Sequence, residues 1–156
     1  MSNSESMRVT ESDVGISAGE LAQRCLDGMV AQDDAAIASM FHAEAIWELA
    51  YAMTGQSDAD RMLHGRQIAR FHSNMFRIIR TSRFSDVRIE AVSADIAYVT
   101  CRSHAELISD DRYGNYYMVR VTAREGLIVH WLEFYDPRPA ERVRTVLTDL
   151  LTGRTA

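Results

Sequence analysis

The stretch Tyr113 to Pro137, YGNYYMVRVTAREGLIVHWLEFYDP, decides how this chain folds. Tyr113 to Ala123 is rich in aromatic and β-branched residues, Arg124-Glu125-Gly126 supplies the glycine that a tight turn needs, and Leu127 to Tyr135 is strand-like again. It reads as a long β-hairpin. Because side chains alternate along a strand, Ile128, His130, Leu132 and Phe134 are expected on one face of the second strand, and Val129, Trp131, Glu133 and Tyr135 on the other. Glu133 then sits between two aromatic residues on a face too apolar to be plain solvent surface. A carboxylate there is either paired with a cation or chemically used.

Working outward, Phe84 to Val92 and Ile96 to Ile108 read as further strands, separated by the turn signals Ser93-Ala94-Asp95 and Ser109-Asp110-Asp111. Upstream the pattern changes to helix. Leu21, Ala22, Cys25, Leu26 and Met29 recur at three- and four-residue steps, which makes Ala18 to Gln32 an amphipathic helix, and Asp33-Asp34 breaks it and caps a short helix over Ala35 to Met40. Ala45 to Tyr51 reads as a strand, Thr54 to Arg61 as a polar loop, and Gly65 opens a helix running to about Arg80. The tail from Pro139 to Leu151 is helical, with Val143, Val146, Leu147, Leu150 and Leu151 on one stripe. Residues 1–16 read as a disordered polar tail and 17–152 as a single domain. Helices followed by a meander of antiparallel strands predict an α+β domain, a cone-shaped curved antiparallel sheet wrapped around the N-terminal helices with a pocket inside.

Composition narrows the function classes. At 156 residues the chain is long enough to bury one core without metal or disulfide staples, and Cys25 and Cys101 are isolated, as reduced core thiols are. No apolar run approaches the ~18 residues of a membrane span, and the first sixteen residues lack the layout of a signal peptide, so the expected location is cytoplasmic. The formal net charge of −5 argues against nucleic acid as the main partner, which needs a basic surface. Arg66, Arg70, Arg77, Arg80 and Arg83 read as one solvated face. There is no HxH, HExxH or CxxC pattern, no glycine-rich phosphate loop and no nucleophile elbow, so no metal and no cofactor is expected.

Several segments carry a resemblance. HGRQIARFH at 64–72, VTCRSHA at 99–105, YGNYY at 113–117 and GLIVHWLEF at 126–134 resemble, in the same order, the phenazine-biosynthesis A/B proteins of the SnoaL-like branch of the nuclear-transport-factor-2-like superfamily, which shares the ketosteroid isomerase-like fold. The resemblance covers roughly residues 18–140. It implies that a helix histidine and a last-strand glutamate serve the pocket chemistry, and His72 and Glu133 match those positions. Three positions depart from the family pattern. Phe76 stands where a serine follows the histidine by one turn, Cys25 where ketosteroid isomerase has its catalytic tyrosine, and Leu49 where it has its base aspartate, which argues against steroid-type isomerisation by that acid and base.

Periodicity points to His72 independently, since Ile68, His72, Met75 and Ile79 form one inward stripe of the helix that starts at Gly65. His72 is then either a neutral imidazole satisfied by one backbone partner or the proton-transfer partner of Glu133 across the pocket. Glu133 is either bonded to an arginine or desolvated, and a desolvated carboxyl titrates toward neutrality, where it can take and return a proton. Trp47, Tyr51, Met75, Tyr117, Trp131 and Tyr135 are the expected substrate-binding wall, suited to a flat, partly aromatic ligand. His104 is either solvated on the outer face or a second polar group of the pocket. These readings leave a cofactor-free acid/base enzyme, an isomerase, dehydratase or other lyase, cyclase or condensation catalyst acting on a cyclic or polyketide-like metabolite. The alternatives are a non-catalytic metabolite-binding protein and an assembly subunit of the same fold. Because helices cover one sheet face only, a homodimer through the outer face is expected, with the tail helix competing for that face or for the pocket mouth.

Overall fold

Ser17 and Glu20 cap each other across the first turn of helix α1 (Ala18–Ala31), the serine hydroxyl taking the Glu20 N–H and the glutamate taking the Ser17 N–H. The computed structural model describes residues 15–154. The expected disordered tail thus lies outside the described residues for 1–14, while Gly15 and Ile16 run beside the turn at Gly126. Gln32 ends α1 in a left-handed conformation, and Asp33 caps α2 (Asp34–Ser39). Gly28 permits the tight α1–α2 corner, because a Cβ there would lie 2.9 Å from Ile37.

Six strands follow: β1 (Phe41–Leu49), β2 (Met62–His64), β3 (Ile79–Ala91), β4 (Ile96–Leu107), β5 (Arg112–Arg124) and β6 (Leu127–Phe134). Helix α3 (Arg66–Phe76) lies between β2 and β3, and α4 (Pro137–Leu151) closes the chain. The sheet order is β2-β1-β6-β5-β4-β3, antiparallel throughout except that β1 runs parallel to β6. The architecture is the α+β cone with its sheet unclosed. Several boundaries differ from the sequence reading. Helix α3 stops at Phe76 and Ile79 already belongs to β3, so the apolar stripe through His72 continues into a strand. The polar loop ends in a 3-10 turn at Ala59–Arg61, and the short edge strand β2 pairs with β1 unannounced by any alternation. Gly65 does open α3: its φ is +48°, and a Cβ there would sit 2.4 Å from the Ala43 carbonyl.

The core lies between α1 and the inner sheet face. Leu21, Ala22, Cys25 and Leu26 pack against Val99, Cys101, Val119, Val121 and Trp131, all buried. A second cluster joins Val143 and Val146 of α4 to Ile78 and Leu107, with Met75 and Tyr113 beside them. The tail helix therefore covers the inner side of the sheet at the far end of β4 and β5, and leaves the outer face bare. Ile128 corrects the expected alternation. A bulge between the Thr122–His130 and Ala123–Ile128 pairs flips its side chain inward, where it is fully buried among α1 and β1 residues.

Candidate functional site

Glu133 stands on β6 between Val119 of β5 and Leu49 of β1, on the same face as the buried Trp131. Its Oε2 accepts one hydrogen bond, from Trp131 Nε1 at 3.2 Å, and among the described residues no cation pairs with it. Some accessible surface remains on its side chain, yet protein encloses the carboxyl. Burial pushes its pKa up from 4.5 to about 7, against the smaller downward pull of the indole N–H. Among the described residues, the arginine-paired alternative has no partner.

His72 approaches from α3 and is 4% exposed. Its Nδ1 lies 2.9 Å from the Ile68 carbonyl, which can only accept, so Nδ1 carries the proton and Nε2 is left as an acceptor. Burial drives its pKa down to about 4, outweighing the opposing effects of the Ile68 carbonyl and Asp34. The imidazole is neutral at pH 7. It meets Trp47 edge-on at 4.8 Å, and Trp47 stacks on Trp131 at 4.8 Å. Two indole rings thus lie between His72 and Glu133, the second of them hydrogen-bonded to the carboxyl. No direct bond joins histidine and glutamate.

The rest of the polar lining comes from β5. Odd-numbered residues of this strand face inward, which puts Tyr113, Asn115 and Tyr117 in one row with Val119, and the Tyr113 and Tyr117 hydroxyls hydrogen-bond each other. Asn115 Nδ2 donates to Tyr113 Oη at 3.1 Å and to the Asp136 carbonyl at 2.8 Å, while its Oδ1 accepts the backbone N–H of Tyr116 and of Asp136. Four bonds leave this amide one orientation. Tyr135 lies over Tyr117 with ring centroids 6.5 Å apart, and its hydroxyl donates to the Tyr51 carbonyl. Burial raises the pKa of Tyr117 well above its ordinary value, that of Tyr135 to about 12 and that of Cys101 to about 11, and the charge of Glu133 pushes each the same way. Cys25 responds likewise, burial first and Glu133 second. The Glu133 charge thus adds to the larger effect of burial at four groups of the inner face.

The expected wall residues divide. Tyr117 and Tyr135 flank Glu133, and Trp47 and Trp131 form the stack beneath it, whereas Met75 belongs to the α4 cluster. Tyr51 lies past the end of β1, is 52% exposed, and touches the outer-face residue Phe134 edge-on. His104 is on the outer face and bonds Ser85 at 2.9 Å, and His130 pairs with Glu48 at 3.0 Å. Two surface hollows, of ≈ 410 and ≈ 570 Å³, share His104 and Gly114; the larger also borders Ser103, Asn115 and Tyr135, and neither borders Glu133 or His72. Tyr113, Asn115 and Ser103 are the polar groups that the sequence reading missed. Strand parity could have found the first two, because YGNYY places them on the face of Val119 and Val121.

No family model matches the sequence, and no curated protein matches it. Solved structures do match. An isomerase candidate from Bacillus subtilis aligns with TM-score 0.71 at 18% identity over 83% of this chain and 93% of that one. A polyketide cyclase candidate from Pseudomonas putida gives 0.66 at 18% identity over 81% and 96%. A phenazine biosynthesis-related protein from Pseudomonas aeruginosa gives 0.59 at 12% over 83% of each chain. At these identities the shared property is the fold, the nuclear-transport-factor-2-like cone that the sequence resemblance implied.

Proposed function

Starting from a chain with the nuclear-transport-factor-2-like fold, we propose that it is a cofactor-free acid/base catalyst acting on a small cyclic or polyketide-like metabolite, with Glu133 as the proton-transfer group. One observation carries the reading: a carboxyl enclosed by apolar and tyrosyl side chains, bonded among the described residues only to an indole N–H, with a pKa near 7. Such a group populates both protonation states at neutral pH, so it can take a proton from carbon or oxygen and return it. The Trp131 N–H favours the charged form and fixes its direction. His72 stays neutral and acts through packing, holding Trp47 and through it the Trp131 donor. The isomerase and polyketide cyclase candidates that share the fold agree with proton-transfer chemistry on such substrates.

Deuterium uptake into 2-tetralone, a flat cyclic ketone, tests the reading without knowledge of the natural substrate. The chain should speed α-hydrogen exchange in D2O above the buffer rate, and Glu133→Gln should remove about 10²–10⁴-fold of that acceleration, the usual worth of a positioned base. Exchange that is no faster than buffer, or unchanged in the glutamine variant, refutes it. A non-catalytic metabolite-binding protein is the second reading, and the hollows away from Glu133 favour it.

A further inference from the structure

The Glu133 side chain keeps some accessible surface, but neither of the two hollows borders it, so a ring-shaped ligand needs a wider way in. Residues 50–61 run from the carboxyl to α4 over one wall of the site. This loop starts beside Glu133: Leu49 is its cross-strand partner, and the Ala50 N–H donates to the Glu133 carbonyl at 2.8 Å. It then passes Tyr135, whose hydroxyl donates to the Tyr51 carbonyl and whose ring lies over Tyr117. From there it reaches α4, where Glu141 Oε1 accepts the Thr54 hydroxyl at 2.6 Å and the Thr54 N–H at 3.2 Å. These two bonds hold the Glu141 carboxyl below its ordinary pKa, so the contact is made to the ionised form.

The loop is built to move as one piece. Ser57 and Asp60 cap each other, Gln56 bonds the Met53 N–H, and Arg61 bonds Asp58 while closing the base on the Leu49 carbonyl at 2.8 Å. Beyond that base, among the described residues only the Tyr135 bond and the two Thr54 bonds tie the loop to the rest of the fold by hydrogen bonding. None of its residues is buried, and a Cβ at Gly55 would meet no atom within 4 Å, so no core residue moves with the loop. Segments with few buried contacts and exposed hydrogen bonds are the first to open. We propose that residues 50–61 form a lid over the Glu133 site, latched where Thr54 meets Glu141, and that its opening frees Tyr135 and admits the ligand. This inference rests on reading the Glu133 face as the site. Glu141 then governs entry without touching the ligand. The shut lid keeps water from the carboxyl, and the open lid exchanges ligand, so one loop separates binding from chemistry.

Trp47 and Trp131 are the chain's two tryptophans, stacked and buried beneath Glu133, so their emission reads access to the site without any turnover. Acrylamide should quench the full chain slowly, and Glu141→Ala should raise the quenching rate constant about threefold or more, as loss of ordinary hydrogen bonds does to an open–closed equilibrium. Glu141→Gln keeps an acceptor oxygen and should raise it less, while Tyr135→Phe, which releases the Tyr51 carbonyl, should also raise it. Arg142→Ala breaks the neighbouring bond from α4 to Asp111, leaves the loop alone, and should quench like the parent. Three results overturn the inference: a parent chain quenched as fast as free N-acetyltryptophanamide, latch variants that quench like the parent, or Arg142→Ala quenched as fast as Glu141→Ala, which would mean that α4 has merely loosened. If the latch variants quench faster while the parent exchanges no 2-tetralone, the lid stands and the proton-transfer reading falls. If exchange depends on Glu133 while the latch variants quench like the parent, only the lid falls.

Discussion

Replacing Glu133 with glutamine should change the pH dependence of stability in a direction that the two buried titratable groups fix. Glu133 has its folded pKa raised from 4.5 to about 7, so the unfolded chain releases this proton first as the pH rises. The stability that the protonated carboxyl lends below about pH 4.5 is lost by about pH 7. At about 1.36 kcal/mol per pH unit between the two pKa values, the loss amounts to about 3 kcal/mol. His72 runs the opposite way: its pKa falls from 6.5 to about 4, so the unfolded chain takes the proton first on acidification, and stability present above pH 6.5 is lost toward pH 4, again by about 3 kcal/mol. In the parent chain the two slopes oppose each other over overlapping windows. In Glu133→Gln only the histidine slope remains. Urea unfolding followed at pH steps from about 4 to about 8 measures the difference between variant and parent, in which the surface carboxylates common to both cancel. The variant should gain on the parent by about 3 kcal/mol as the pH rises through the Glu133 window. A difference that does not vary with pH would refute the buried, unpaired carboxyl.

Trp131→Phe keeps an aromatic ring over Trp47 but removes the one side-chain donor to Glu133 among the described residues, so the midpoint of any Glu133-dependent pH profile should move up, and a downward move would contradict the assigned bond. Val146→Asp places a charge in the sealed α4 cluster and should cost several kcal/mol, on the order of 3, in thermal or urea unfolding. The outer sheet face presents Tyr98, Tyr116, Met118, Leu132 and Phe134, and α4 does not cover it, so light scattering should give a dimer mass of about 35 kDa, twice the 17.6 kDa chain. A stable mass of 17.6 kDa would leave that face to solvent.

The hairpin around Gly126 and the inward placement of Trp131 and Glu133 were legible because strand parity and turn chemistry act locally. Ile128 was not. A bulge is set by how β5 and β6 fit the core, and a one-residue slip exchanges faces without any mark in the alternation. Ile79 fell on the helical stripe of His72 by coincidence of spacing, while the chain had already turned into β3 after Arg77. The pairing of Glu133 was undecidable from sequence, since it depends on whether any of the many arginines reaches the inner face. Arg66, Arg70, Arg77, Arg80 and Arg83 are all exposed, but Arg80 and Arg83 lie on β3 and not on the helix. The separation of His72 from Glu133 by two stacked indoles arises from the parallel β1–β6 pairing, which brings Trp47 opposite Trp131. No local pattern in either strand announces that contact.

The ionisation of Glu133 itself is the most direct test. With glutamate labelled at the carboxyl carbon, the resonance that disappears in Glu133→Gln belongs to this residue, and its chemical shift can be followed with pH in the parent chain. The midpoint should lie near 7, where burial places it. A midpoint near the ordinary 4.5 would mean that water or a cation reaches the carboxylate, and Glu133 would then be neither buried nor poised to exchange a proton at neutral pH.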